Sequence, residues 1–86
     1  MSKMSKWYIY ILKCSNGSLY TGITNDVKRR FNEHKSGKGA KYTRAFGAKR
    51  IVFLECAKNR SKASKREAAI KKMSRKEKIG LIKTVH

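Results

Sequence analysis

Tyr10, Tyr20, Arg30, His34 and Glu67 stand out in this chain because secondary structure alone leaves their chemistry unused. The chain has five acidic side chains against 23 Lys and Arg, so each carboxylate can be accounted for in turn. Asp26 is a natural helix N-cap, and Glu77 completes the capping box Ser74-x-x-Glu77. Glu33, four residues after Arg29, reads as half of a solvated ion pair, and Glu55 as a charge shielding a strand edge. Glu67 is left over. At about 100° per residue it shares a helix face with Ala63 and Ile70, where a carboxylate is costly unless something offsets it. The alternative is a second capping box, Ser64-x-x-Glu67, on a helix that begins later. An earlier helix shows the same anomaly: Val27, Arg30, Phe31 and His34 share one stripe while Lys28, Arg29, Asn32, Glu33 and Lys35 face away. Taken singly, Arg30 is a snorkelling side chain and His34 a satisfied buried imidazole. Taken with Glu67 and two tyrosines on a hairpin, they supply a guanidinium, an imidazole, a carboxylate and phenols that can converge on one sheet face. That is the inventory of metal-assisted phosphodiester hydrolysis.

The elements that must position these groups follow from patterning. Residues 1–6 are polar and expected to be flexible, and Trp7 to Lys13 is an aromatic, β-branched strand. Ser15-Asn16-Gly17 is a turn, and Ser18 to Gly22 the returning strand. A two-residue loop pairs Lys13 with Tyr20 and sends Tyr10 and Tyr20 to opposite faces. A three-residue loop with a left-handed Gly17 pairs Leu12 with Tyr20 and puts both tyrosines on one face; sequence leaves the two open. Asn25 or Asp26 caps a helix from Val27 to Lys35 that Gly37 closes, and Lys38 to Lys49 follows as a basic loop. Ile51 to Glu55 is a third strand, about Ser61 to Lys72 a second helix, and Ser74 to Ile82 a third. The expectation is one domain over residues 7–83 with a tail at 84–86. It is an α+β fold, a small three-stranded antiparallel sheet packed with helices in the order ββαβαα.

Tyr8-Ile9-Tyr10, then Tyr20-Thr21-Gly22 after the hairpin, then Arg30, His34 one turn later, and Glu67 on a following helix form a combined spacing that resembles the GIY-YIG nuclease family. The resemblance runs from Trp7 to Met73 and is strongest to the short stand-alone bacterial branch. Tyr8 stands where the first Gly is usual, Thr21 replaces an aliphatic residue, and a late Asn of larger members has no counterpart after Glu67. The resemblance implies an endonuclease that hydrolyses DNA phosphodiester bonds, in repair or recombination, with one Mg²⁺ or Mn²⁺ held by Glu67. A hard cation suits one carboxylate plus waters and phosphate oxygens. It further implies that Arg30 neutralises charge growing on the phosphate, that Tyr20 acts as or assists the general base, and that Tyr10 supports it through a hydrogen bond. A phenol of pKa ~10 is about 3 units short of ionising at pH 7, roughly 4 kcal/mol. Lys13, Arg30 and the metal are the cations able to supply part of that. His34 is the alternative base or proton shuttle, and sequence does not choose between it and Tyr20.

The charge balance points to the same class of partner. A net charge of +18 on 86 residues calls for something acidic, and 40% hydrophobic residues with one Trp, four Tyr and three Phe put that charge on a folded body. The longest apolar or aromatic run, Trp7 to Leu12, is far short of the ~20 residues of a membrane span, and Lys3 and Lys6 precede no signal-peptide core. A cytoplasmic monomer is therefore expected, with Cys14 and Cys56 as reduced, non-metal thiols. Within the basic loop, Lys38, Lys41 and Arg44 alternate with Tyr42 and Thr43, a pattern that tracks a phosphate backbone while the ring stacks on a base, and Lys13 adds to it. A non-catalytic DNA- or RNA-binding module on the same fold is the second reading. A membrane-surface helix is disfavoured by the inward charges. Neutralising about six phosphates should make the binding constant fall as roughly the fifth power of salt concentration. Lys41→Ala and Arg44→Ala should each flatten that slope in a salt titration, and an unchanged slope removes this segment from the interface.

Overall fold

The computed structural model describes residues 6–84, apart from the side chain of Tyr42. Strand β1 (Trp7–Cys14) turns through Ser15 to Gly17 and returns as β2 (Leu19–Thr24). Leu12 lies opposite Tyr20 and Tyr10 opposite Gly22, the register of the three-residue turn. Gly17 adopts φ 87°, a left-handed conformation open to glycine because it lacks a Cβ. Its N–H donates to the Cys14 carbonyl at 2.9 Å, and the Cys14 N–H donates to Ser18 at 2.8 Å. The turn is also held from far along the chain, where the Arg75 guanidinium donates to the Gly17 carbonyl at 2.9 Å. Since side chains alternate along a strand, Tyr10, Leu12, Tyr20 and Gly22 share one face.

Helix α1 (Val27–Lys35) starts at Asp26, whose carboxylate accepts the Arg29 N–H at 3.1 Å. It ends in a Schellman motif: Lys38 N–H reaches the Glu33 carbonyl at 2.8 Å and Gly37 N–H the His34 carbonyl at 3.3 Å, with Gly37 left-handed. The segment expected to be a continuous basic loop contains a short helix, α2 (Lys41–Phe46). Six residues show no helical periodicity, and Ala40 at its N-cap offers no side-chain acceptor, so local sequence carries little signal for it. Strand β3 (Ala48–Ala57) pairs antiparallel with β1, giving the order β2-β1-β3. Helix α3 (Arg60–Lys71) is capped by Asn59, which accepts Lys62 N–H at 2.9 Å, so Glu67 lies mid-helix and the Ser64 capping box does not form. Helix α4 (Arg75–Lys83) opens with the Ser74–Glu77 capping box. The flexible segment and tail expected at 1–6 and 84–86 fall largely outside the described residues.

Central strand β1 is covered on both faces, and Ile9, Tyr10, Ile11 and Leu12 are all at most 2% exposed. On one face Ile9 and Ile11 pack with Phe53 and with Ala63 and Ile70 of α3. On the other, Tyr10 and Leu12 meet Val27, Arg30 and Phe31 of α1 and Ile51 of β3. Each buried Ile stabilises by about 1.5–3 kcal/mol, which makes the Ile9–Ile11 layer the main anchor of α3. The Arg66–Glu55 fork, 3.0 and 3.3 Å, ties α3 to edge strand β3 but is over a third exposed and adds at most about 1 kcal/mol. Thr21 points into the α3-facing layer opposite Ile11, and its buried Oγ1 has no hydrogen-bond partner among the described residues. An unpaired buried hydroxyl is a cost, so Thr21→Val should raise unfolding stability by about 1 kcal/mol in a denaturant titration. A loss of stability would show that Oγ1 has a partner.

Candidate active site

On the face of the sheet opposite α3, four of the five expected site residues come together. Tyr10 from β1 and Tyr20 from β2 have ring centroids 6.4 Å apart, and the His34 ring of α1 stands edge-on to both, at 5.8 and 5.4 Å. His34 is 1% exposed, and both its nitrogens are engaged. Nε2 lies 2.9 Å from the Tyr10 hydroxyl and Nδ1 2.7 Å from Thr43 Oγ1. The Thr43 hydroxyl donates its one proton to the Ala40 carbonyl at 3.0 Å, so it accepts from His34. That network assigns the ring proton to Nδ1 and makes Nε2 the acceptor of the Tyr10 O–H. Burial, and then the charge of Arg30, hold the His34 pKa below its ordinary 6.5, which keeps the ring neutral.

Two glycines make room for this chain of hydrogen bonds. A Cβ at Gly22 would stand 2.5 Å from the Tyr10 hydroxyl. A Cβ at Gly39 would collide with His34 Nδ1, so only glycine lets the α1–α2 connection close over the imidazole. Tyr10, 2% exposed, has its pKa pushed up to about 12 by burial, partly offset by the neighbouring Arg30 and raised further by the charges of Tyr20 and Glu67. It is a fixed neutral donor. Arg30 donates to Glu33 at 3.0 Å, and that hydrogen bond is the chief reason its pKa is raised above the usual arginine value. Glu33, expected to pair outward with Arg29, therefore bonds Arg30 more closely, with Arg29 at 3.9 Å. The i,i+3 geometry brings the carboxylate round to the inner edge of the helix.

Glu67 stands on the other layer. Helix α3 is anchored through Ala63 and Ile70 against the Ile9–Ile11 face, and the Glu67 side chain, 20% exposed, pairs with Lys71 at 3.2 Å. Its charge is felt at Tyr10, where it opposes ionisation of the phenol. No group of three His, Cys, Asp or Glu side chains gathers among the described residues, so no closed protein cage for a metal is built. A lone, partly exposed carboxylate is instead the donor that suits a hard divalent ion keeping most of its waters, and Glu67 fits that part.

The expected nucleic-acid contacts divide. Lys38, Lys41 and Arg44 are exposed on and beside α2. Tyr42 lies within α2. Thr43 is corrected: it is 1% exposed and holds His34 rather than facing solvent, because α2 turns that position inward. As a cation beside the phenols, Lys13 is corrected as well. It lies on the strand face opposite Tyr10, grouped with Arg50, Arg75 and Lys83 beside α4, so it is not among the cations next to the phenols. Strand alternation carried that signal, since 10 and 13 differ in parity. The part played by Thr43 had no local signal, as it is set by α2 folding back on α1.

A three-stranded antiparallel sheet between helical layers, with paired tyrosines, an inward Arg and His, and a carboxylate on the following helix, defines a GIY-YIG domain. The chain belongs to the GIY-YIG family, whose catalytic domain matches residues 6–80. It is similar to a UPF0213 protein of Syntrophus aciditrophicus, 54% identical over 81 residues and covering 93% of each chain. A UPF0213 protein of Cupriavidus pinatubonensis is 49% identical over 79 residues, 92% of this chain and 88% of that one. A solution NMR structure of a UPF0213 protein from Bacillus halodurans aligns with TM-score 0.61 at 44% identity, covering 93% of this chain and 85% of that one. Another, of a protein from E. faecalis, aligns with TM-score 0.66 at 44% identity over 100% and 92%.

The neutral His34 has a consequence for stability. The unfolded chain takes up a proton at this residue near 6.5, the folded chain only at lower pH. Its contribution is therefore complete above the unfolded value and is lost as pH falls from there through the depressed folded value. Thermal unfolding midpoints should drop between about pH 7.5 and about pH 5. His34→Asn, less stable throughout, should show a flatter dependence over that interval, and an equal slope in both proteins would place the titrating group elsewhere.

Proposed function

We propose that this protein is an endonuclease that hydrolyses phosphodiester bonds of DNA with one divalent metal ion. The observation that carries the reading is the division of the site into a buried support and a solvent-reaching set. Tyr10, His34 and Thr43 are buried and mutually bonded, whereas Tyr20, Arg30 and Glu67 keep partial exposure. Such a division suits a reaction on a polymer too large to enter a pocket. Tyr20, once its phenol has given its proton to solvent, accepts the proton of the attacking water, or as the neutral phenol aligns that water, a part that His34 cannot take directly while both its nitrogens are engaged. Arg30 moves from Glu33 toward the phosphate and offsets the charge that grows there as the P–O bond breaks and the leaving oxygen takes a proton from solvent. Tyr10 and His34 are positioning residues in this scheme. Mg²⁺ or Mn²⁺ at Glu67 supplies charge neutralisation and a more acidic water. The exposed Lys38, Lys41 and Arg44 hold the backbone, and the protein works as a monomer in the cytoplasm, in repair or recombination. No helix among the described residues is long and apolar enough to cross a membrane.

A second reading, a nucleic-acid-binding module without chemistry, is favoured by one feature, the engagement of Glu67 by Lys71. Nicking of supercoiled and branched DNA by purified wild type, Glu67→Ala and Arg30→Ala, with binding at matched salt, separates the two. We expect Mg²⁺- or Mn²⁺-dependent nicking that falls about 10²- to 10³-fold in each variant while binding changes only a few-fold. Tight binding by all three proteins with no cleavage on any substrate would instead support the binding module.

A further inference from the structure

A second concave feature lies at the end of the sheet, where β1 begins, β2 runs into α1, and α3 starts. Trp7, Asn25, Arg29, Arg30, Glu33 and Arg60 are among the walls of a cleft of about 270 Å³. The Arg60 guanidinium lies over the Trp7 ring, 5.5 Å from its centroid. We propose that this cleft is a subsite for one unstacked nucleobase, held against the Trp7–Arg60 pair with its phosphate turned toward Arg29 and Arg30. The inference rests on the nuclease reading for the identity of the polymer and adds to it the state of the nucleotide beside the cut.

Three observations converge on that ligand. Three guanidinium groups facing one carboxylate leave the cleft positive, so the ligand is an anion. Indole and guanidinium are both side-chain planes on which nucleobases stack, and here they are already paired with each other. Arg30 belongs both to this cleft and to the wall around Tyr10, so a nucleotide seated here adjoins the phosphate that Arg30 would engage. The cleft is just below the ~300 Å³ at which small-molecule sites usually begin, a size for one base with its phosphate rather than a length of duplex. In a duplex both faces of a base are covered by its neighbours, so a base must be unpaired or flipped to use the indole. The exposed Asn25 amide, able to donate and to accept, stands at the rim to meet a base edge.

The chain has one tryptophan, so its emission reports on the cleft without any cleavage. With metal chelated, the probes are a DNA hairpin with a short single-stranded overhang, the same hairpin with abasic overhang sites, and a blunt hairpin. The overhang should quench Trp7 and bind about tenfold tighter than the other two. Arg60→Ala should remove most of that preference while blunt-hairpin affinity stays within about twofold, and Trp7→Leu should do the same by anisotropy. Equal quenching by normal and abasic overhangs, or equal loss on all three probes in Arg60→Ala, would overturn the subsite. Wild type that nicks DNA but shows no base-dependent quenching removes the subsite and keeps the nuclease. Base-dependent quenching without cleavage under any metal removes the nuclease and keeps the subsite.

Discussion

A buried imidazole with both nitrogens committed is the constraint on which the rest of this molecule depends. His34 could not be buried cheaply with either nitrogen unpaired, and the two groups that satisfy it come from β1 and α2. One side chain therefore sets how α1 docks on the sheet and where α2 must lie. The same requirement reaches the backbone, because Gly22 and Gly39 leave empty the volumes that the Tyr10 phenol and the His34 ring fill. Positions without any reactive group are in this way fixed by the reactive ones.

The charges around the imidazole are mutually dependent. Glu33 further stabilises the charge of Arg30, that charge helps keep His34 neutral, and the neutral ring keeps Tyr10 as a donor. In a chain of net charge +18, a half-buried glutamate beside the site arginine prevents that arginine from standing as one more unbalanced cation. The contact is short but over a third exposed at Glu33, so solvent screening keeps it exchangeable. The carboxylate thus balances the guanidinium without locking it in place.

Much of the architecture could be read beforehand because it is encoded locally. Helical periodicity placed Arg30 and His34 on the inner stripe of α1, and the Ser74–Glu77 box marked the start of α4. The family resemblance brought Tyr10, Tyr20, Arg30, His34 and Glu67 into one list, and the structure gathers four of them on one face. What local sequence did not yield is non-local. The turn register was ambiguous until Gly17 was seen left-handed. Helix α2 lacks a capping side chain, so its identity rests on packing, and with it the inward turn of Thr43. The Trp7–Arg60 pair joins the start of β1 to the start of α3, which no window along the chain contains.

The hydrogen bond from Arg75 to the Gly17 carbonyl spans 58 positions of sequence. It joins the turn that sets the relative height of the two tyrosines to the first residue of α4. On the ribosome the hairpin emerges early with its glycine turn but without this clasp, and the clasp is added only when the final helix has been made. The spacing of the phenols is thus drafted by a local preference when the hairpin is made and clasped only after α4 has followed. The hairpin that carries both tyrosines therefore gains this long-range clasp only when α4 is in place.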